Sequence, residues 1–288
     1  MAASSAAGSG RLIAVLPNLI VIGAERCGTT SLHRYLGAHP EIFMAKTKEL
    51  DFFVTELSWR KGRTWYEKQF RTGSRVRGES SPSYTAYPVH TGVAERMAAL
   101  VPDAKLIYLV RDPIERTLSG YHHQRAQAME RRPLADALSD VNESRHIWRS
   151  RYAAQLELFL EHFPLEQILV VDSHELRTRR RETLARIFRF LGIDERFWAE
   201  MFAVEHNTRR TRRLTLLGAG VWVGSVKVLG KERTRAVAQR LPALMPFSRP
   251  LEPPAMDEEL RRTLEGVFRD DVAQLREYTG LKFNTWSV

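Results

Sequence analysis

Apolar residues fall along this chain in two spacings. Short continuous runs, LIVIG (19–23), KLIYLV (105–110) and QILVVD (167–172), are rich in β-branched and aliphatic residues. They read as strands buried on both faces. SRVRGES (74–80) reads as a further short strand. Elsewhere apolar positions recur every three or four residues, which predicts helices. TSLHRYLGAHP sets Leu32, Tyr35 and Leu36 on one face, with Gly37 and Pro40 as its stop. GVAERMAALV (92–101) sets Val93, Met97 and Leu100 on one side. IERTLSGYHHQRAQAM follows Pro113, a residue suited to a first turn. RYAAQLELFLEHF (151–163) reads as helical, as does RRETLARIFRFLG, where Leu184, Ile187, Phe188 and Leu191 share a face and Gly192 ends it. A long helix over 256–280 opens on acids and closes on Gly280. Strands alternating with helices predict an α/β fold, a central parallel sheet with helices on both faces. Residues 1–10 read as a disordered arm, and 11–288 as one domain whose helical or lid part starts at about 195.

The first strand runs into GAERCGTT (23–30). Gly23 and Gly28 have the spacing of a phosphate-binding loop, and a helix follows, as such a loop requires. A nucleoside-triphosphate loop would continue with Lys and Ser or Thr; here the residues are Thr29 and Thr30. Backbone amides from 26 to 31 would still point at an anion beside a helix N-terminus. Thr29, Thr30 and Ser31 add hydroxyls, and Arg26 supplies the charge from inside the loop. Moving the cation points to a shorter anion than a triphosphate. Cys27 reads as a small loop residue rather than a nucleophile.

Two more segments carry candidate chemistry. LVRDPIERTLSGYHH places Arg111 where a buried strand ends, at the edge where open α/β sheets bind ligands, and Ser119 on the next helix. An Arg and a hydroxyl there can grip a second phosphate, or Arg111 can pair with Asp112 or Glu115 and close the turn. KTKELDFF packs Lys46, Lys48, Glu49 and Asp51 ahead of two phenylalanines. A carboxylate between lysines stays ionised and can act as a base, although a charge run is more often solvated surface.

The three segments together, in this order, resemble the sulfotransferases that use 3′-phosphoadenosine 5′-phosphosulfate (PAPS), in the branch of bacterial, carbohydrate and tyrosylprotein enzymes. The resemblance implies a P-loop-type three-layer fold, with PAPS as co-substrate and no metal. It implies that GAERCGTTSL grips the 5′-phosphosulfate through Arg26, Cys27, Gly28, Thr29, Thr30 and Ser31. RDPIERTLSGY is similar to the family's 3′-phosphate motif, which implies that Arg111 and Ser119 bind that phosphate. KELDFF resembles the segment with the catalytic carboxylate, which maps to Glu49, with Lys48 beside it. GESSPSY (78–84) and RYAAQLELFLEHFP also fit the pattern. HNTRRTRR (206–213) loosely matches the late basic loop, so Arg209, Arg210 or Arg212 is expected to close on the 3′-phosphate. The chain departs from the pattern at Asp51, where carbohydrate enzymes often carry His, and at Ser80, where some carry Lys. The implied reaction is in-line transfer of the sulfuryl group to an acceptor hydroxyl on a carbohydrate, a glycolipid or a small natural product.

Charge adds less. The balance of 44 basic against 34 acidic residues, +10 net, favours anionic partners but is scattered along the chain. Two alternatives stay open: a kinase or NTPase that has lost its lysine, with Asp172 after QILVV as its aspartate, and a basic protein binding nucleic acid or an acidic surface through the Arg clusters at 177–181 and 209–213. On the sulfotransferase reading no nucleic acid is expected. A single cysteine fits a reducing compartment, so a cytoplasmic location is expected, without a leader peptide. The apolar stretch 214–229 is too short and too interrupted by glycines to span a membrane, and reads as a lid that could touch a lipid-linked acceptor. His33, His122 and His123 read as packing or surface residues, and Trp198, Phe202 and Trp222 as core or lid.

Overall fold

The computed structural model describes residues 15–70, 73–203 and 256–288 in full, and the backbone of 212–214 and 248–250. The arm at 1–10, Arg209, Arg210 and the lid stretch 215–229 with Trp222 lie outside the described residues. The chain divides into two compact units, Met1–Arg111 with Ala153–His206, and Asp112–Tyr152 with Asn207–Val288.

The first unit holds a parallel sheet. Among the described residues its strands are β1 (Leu19–Gly23), β2 (Ile42–Met44), β3 (Val76–Ser80), β4 (Lys105–Val110) and β5 (Ile168–Asp172), in the order β2-β3-β1-β4-β5. β1 lies at the centre, pairing Val21 with Ser80 on one side and with Ile107 on the other. The continuous apolar runs are buried as expected: every residue of β1 is inaccessible, and so is β4 beyond Lys105. β2 was not expected. It is a three-residue edge strand, too short for either spacing to register.

Helix α1 (Thr29–Ala38) buries Leu32, Tyr35 and Leu36 as their spacing predicts. It runs through Gly37 rather than stopping there, and ends at His39 ahead of Pro40. α2 (Arg63–Glu67) and α3 (Val93–Leu100) follow. Alternate residues of β3 point to opposite faces. The Gly78 face meets Met44 and Leu19, and Met44 in turn lies under Gly37 of α1. The Glu79 side chain points the other way, to Tyr66 of α2 and to Tyr84.

The second unit opens with α4 (Pro113–Ala126), then α5 (Leu134–Leu138) and α6 (Arg145–Trp148). The chain continues through α7 (Tyr152–Leu160), then α8 (Ser173–Thr178) and α9 (Arg180–Leu191) of the first unit. Gly192 caps α9 at φ 75°, the left-handed stop expected of it. The 212–214 and 248–250 segments pair antiparallel as β6 and β7. The last helix, α10 (Glu258–Thr279), starts at the Asp257 cap and ends at Gly280.

Candidate active site

The loop between β1 and α1 is shaped by two glycines. Gly23 passes so close to Thr85 that a Cβ would lie 1.9 Å from its Oγ1. Gly28 caps α1 at φ 93°, a conformation that costs any residue with a Cβ. The Ala24 amide donates to Leu109 O (2.7 Å) and ties the loop to β4. The Cys27 amide returns to Ala24 O (3.2 Å). Those of Ser31 and Leu32 return to Gly28 O (3.0 and 3.1 Å). Helix geometry leaves the amides of Gly28, Thr29 and Thr30 without an intrahelical acceptor. The first turn of α1 carries no acidic residue. Gly28 is exposed, Thr30, Ser31 and Arg26 are half-buried, and Arg26 itself adopts φ 70°. Free amides at a helix N-terminus of this kind are suited to an anion. Thr29, where a triphosphate loop keeps its lysine, is buried. Cys27 is buried as well, its Sγ 3.8 Å from Glu25 O, which suits a packing role.

The KELDFF strip lies at the carboxyl end of β3, next to that loop's strand. Its anchors are backbone amides. Glu49 N donates to Ser80 O (2.9 Å), Asp51 N to Ser81 Oγ (3.0 Å) and Phe52 N to Tyr84 OH (2.9 Å). Phe52 and Phe53 are buried, and Phe52 stacks on Tyr66 with ring centres 4.0 Å apart. Glu49 (φ 65°) and Asp51 (φ 49°) both take the left-handed region. The Glu49 side chain is 58% exposed and its Oε1 lies 2.5 Å from Lys48 Nζ, whose side chain is 17% exposed. Lys46 points to solvent.

Two titratable groups flank the pair. Burial pushes the Asp51 carboxyl up; the Ser83 hydroxyl bonded to it opposes this, and the charge of Glu49 adds to it. Burial, helped by the Lys48 charge, pushes His33 down to about 4, although its ring is bonded to the Ala45 backbone. His33 Nδ1 is buried and unpartnered, and so is the Ser80 hydroxyl. His33 is thus a half-buried neutral group on α1, more enclosed than a surface residue.

Arg111 directly follows β4, half-buried. The neighbouring strands β3, β1 and β4 therefore bring Glu49, the loop and Arg111 to one carboxyl edge of the sheet, where open α/β sheets bind ligands. Asp112 caps α4, accepting from the Glu115 amide at 2.9 Å. Ser119 is half-buried on α4. Arg212 opens β6, and its side chain lies outside the described residues, like Arg209 and Arg210. Among the described residues no cluster of three or more His, Cys, Asp or Glu could hold a metal.

Sequence reasoning passed over two residues. Arg116 is 1% exposed and donates from Nη1 to His146 O (2.8 Å) and Ser150 Oγ (3.2 Å), holding α4 to α6. Its signal was position: it falls on the face of α4 that buries Pro113, Thr117 and Gly120. Glu79 is fully buried beneath the strip. It has no local signal: Tyr66 lies 13 positions away, and the strip it reaches through Ser81 lies 30 positions from that serine.

Residues 16–209, well over half of the chain, match the model of the sulfotransferase domain. A bifunctional heparan sulfate N-deacetylase/N-sulfotransferase 1 of Caenorhabditis elegans is 28% identical over 94% of this chain. The human bifunctional heparan sulfate N-deacetylase/N-sulfotransferase 3 is 27% identical over the same share. The chain spans about a third of the length of these relatives, 31% in both. Among solved structures, a sulfotransferase from Alicyclobacillus acidocaldarius superposes with TM-score 0.68 at 24% identity, covering 95% of this chain and 100% of that one. Mouse sulfotransferase SULT7A1, solved with 3′-phosphoadenosine 5′-phosphate (PAP), gives 0.53 at 15% identity, covering 93% and 90%. These two show a shared fold. With its parallel sheet and a family model matching most of its length, the chain belongs to the sulfotransferase family, whose members are transferases.

Proposed function

We propose that this chain transfers the sulfuryl group of PAPS to a hydroxyl or amino group of a glycan acceptor. The observation that carries the reading is one edge of the sheet. A lysine-free anion loop leaves β1 there, and Glu49, paired to Lys48, stands at the end of the neighbouring strand β3. The residues present fit such a donor. The loop amides and Arg26 suit a single phosphate bearing a sulfuryl group, and the buried, unpartnered Ser80 hydroxyl lies along the same edge. Thr29 is buried where a γ-phosphate lysine would stand, which speaks against a kinase. The names of the relatives favour a glycosaminoglycan-type acceptor, and they set an amine beside the hydroxyl expected from the resemblance.

In this reading the acceptor O–H or N–H enters beside Glu49. The acceptor atom bonds to sulfur while the bond from sulfur to the 5′-phosphate oxygen breaks. Glu49 takes the acceptor's proton. The charge left on the phosphate oxygen is met by Arg26 and the amides of Gly28, Thr29 and Thr30. Lys48 holds the Glu49 carboxylate at 2.5 Å. Arg111 and Ser119, with a late arginine among Arg209, Arg210 and Arg212, are assigned to the 3′-phosphate on the strength of their motif. The rate comes largely from holding two reactants in line.

Labelled PAPS, supplied with N-desulfated heparin (free amines) or N-acetylated heparosan (hydroxyls only), tests the reading and separates the two acceptor atoms. Glu49→Gln is expected to lower turnover by about 100-fold or more while PAP affinity changes less than about twofold. A variant with near-normal turnover would remove Glu49 from the role of base.

A further inference from the structure

The side-chain hydrogen bonds that fasten the Glu49 strip to β3 run back to one buried carboxylate. Glu79 has no exposed surface. Its Oε1 accepts from Tyr66 OH (2.8 Å) and Tyr84 OH (2.6 Å), and its Oε2 from Ser81 Oγ (2.6 Å). Two of these hydroxyls also accept from the strip: Tyr84 OH from Phe52 N, and Ser81 Oγ from Asp51 N. An amide can only donate, so each hydroxyl must send its own proton onward, to Glu79. The carboxylate thereby fixes the direction of both relays.

Among the described residues no lysine or arginine pairs with Glu79. Burial pushes its carboxyl up, and the three hydroxyl donors pull the other way. The Ser81 and Tyr84 hydroxyls, each taken by a strip amide, leave the carboxyl group as the acceptor of their protons. A buried carboxyl group with no cation beside it and three hydroxyls around it is costly to build for packing alone. The two amides it reaches belong to Asp51, itself left-handed, and to the residue after it, two and three positions beyond Glu49.

We propose that Glu79 is a positioning residue of this site: through Ser81 and Tyr84 it holds the left-handed turn that aims the Glu49 carboxylate at the acceptor. The inference rests on the reading of Glu49 as base. Ser81→Ala and Tyr84→Phe each cut one relay and leave Glu79 in place. The test follows PAPS turnover with the two heparin-type acceptors, PAP affinity by calorimetry, and amide hydrogen exchange at Asp51 and Phe52. Each single variant is expected to lower kcat about tenfold, and the double variant about 100-fold, with PAP affinity within about twofold. In a Glu49→Gln background the same changes should alter residual turnover less than about twofold. Exchange at Asp51 and Phe52 should rise at least about tenfold while β1 and β4 stay protected. Glu79→Gln is expected to behave like the double variant; should it fail to fold, the relay variants carry the test.

Unchanged exchange at Asp51 and Phe52 in the double variant overturns the proposal without any acceptor. So does an equal loss of turnover in the Glu49→Gln background, or a loss of PAP affinity with exchange rising across β1 and β4, which would mark a purely structural role. A Glu49→Gln enzyme with full turnover overturns the base assignment, and this proposal falls with it. A Glu49-dependent enzyme indifferent to both relays overturns this proposal alone.

Discussion

A Cβ on Gly23 would lie 1.9 Å from Thr85 Oγ1 and 3.0 Å from the Tyr108 ring. Neither neighbour sits at the end of a long flexible chain, so the backbone must shift. Gly23→Ala is expected to cost about 2–3 kcal/mol, read as a lower urea midpoint with an unchanged m-value. Wild-type stability in that variant would mean that the loop has room. Arg111 makes a different prediction. If it reads the 3′-phosphate, Arg111→Ala should weaken PAP at least about tenfold while AMP binding barely moves. Equal losses for the two nucleotides would end that assignment. These residues were legible in sequence because their chemistry is local: two glycines at fixed spacing, an arginine at a strand end. Glu79 was not. It binds Tyr66, 13 positions away, and reaches Asp51 only through Ser81, 30 positions from it. A charged residue inside SRVRGES gives no hint that folding encloses it among hydroxyls.

At the scale of elements, α4 depends on one side chain. Asp112 Oδ1 accepts from the Glu115 amide, and Oδ2 accepts from the amide and hydroxyl of Ser287 (2.5 and 2.7 Å). One carboxylate therefore caps a helix and fastens the C-terminal tail. Asp112→Ala is expected to cost about 2–4 kcal/mol by denaturant titration, against about 1 kcal/mol for Asp257→Ala, whose carboxylate caps α10 through Leu260 N. Equal costs would show that the tail contributes nothing. The elements differed in how well sequence announced them. β1, β4 and β5 are continuous apolar runs, and α9 and α10 show full helical periodicity between recognisable ends. β2, α5, α6 and α8 span three to six residues each, less than two turns of a helix or a few strand positions, and no period can establish itself there. α1 ran through Gly37 because a glycine weakens a helix without ending it.

For the molecule as a whole, acid is the expected weakness. Burial pushes His146 down to about 4, although Glu130 bonded to it at 3.3 Å pulls upward. Its usual value is 6.5, so between about 4 and 6.5 the unfolded chain takes up a proton that the folded one refuses. Stability is then full above that window and falls with pH through it, by up to about 1 kcal/mol per unit from this group. Unfolding titrations at pH 7, 6 and 5 should show the loss, and His146→Gln should flatten it. An equal slope in the variant would move the cause elsewhere, to His33 among others, which is lowered in the same direction. The backbone has a cost of its own. Among the described residues five that are not glycine adopt positive φ, and Arg26, Glu49 and Asp51 are three of them. Glycine would sit there without complaint and would carry no guanidinium and no carboxylate. Resistance to heat and competence in transfer therefore pull these positions in opposite directions, and a lineage selected only for endurance would be expected to lose its side chains there first.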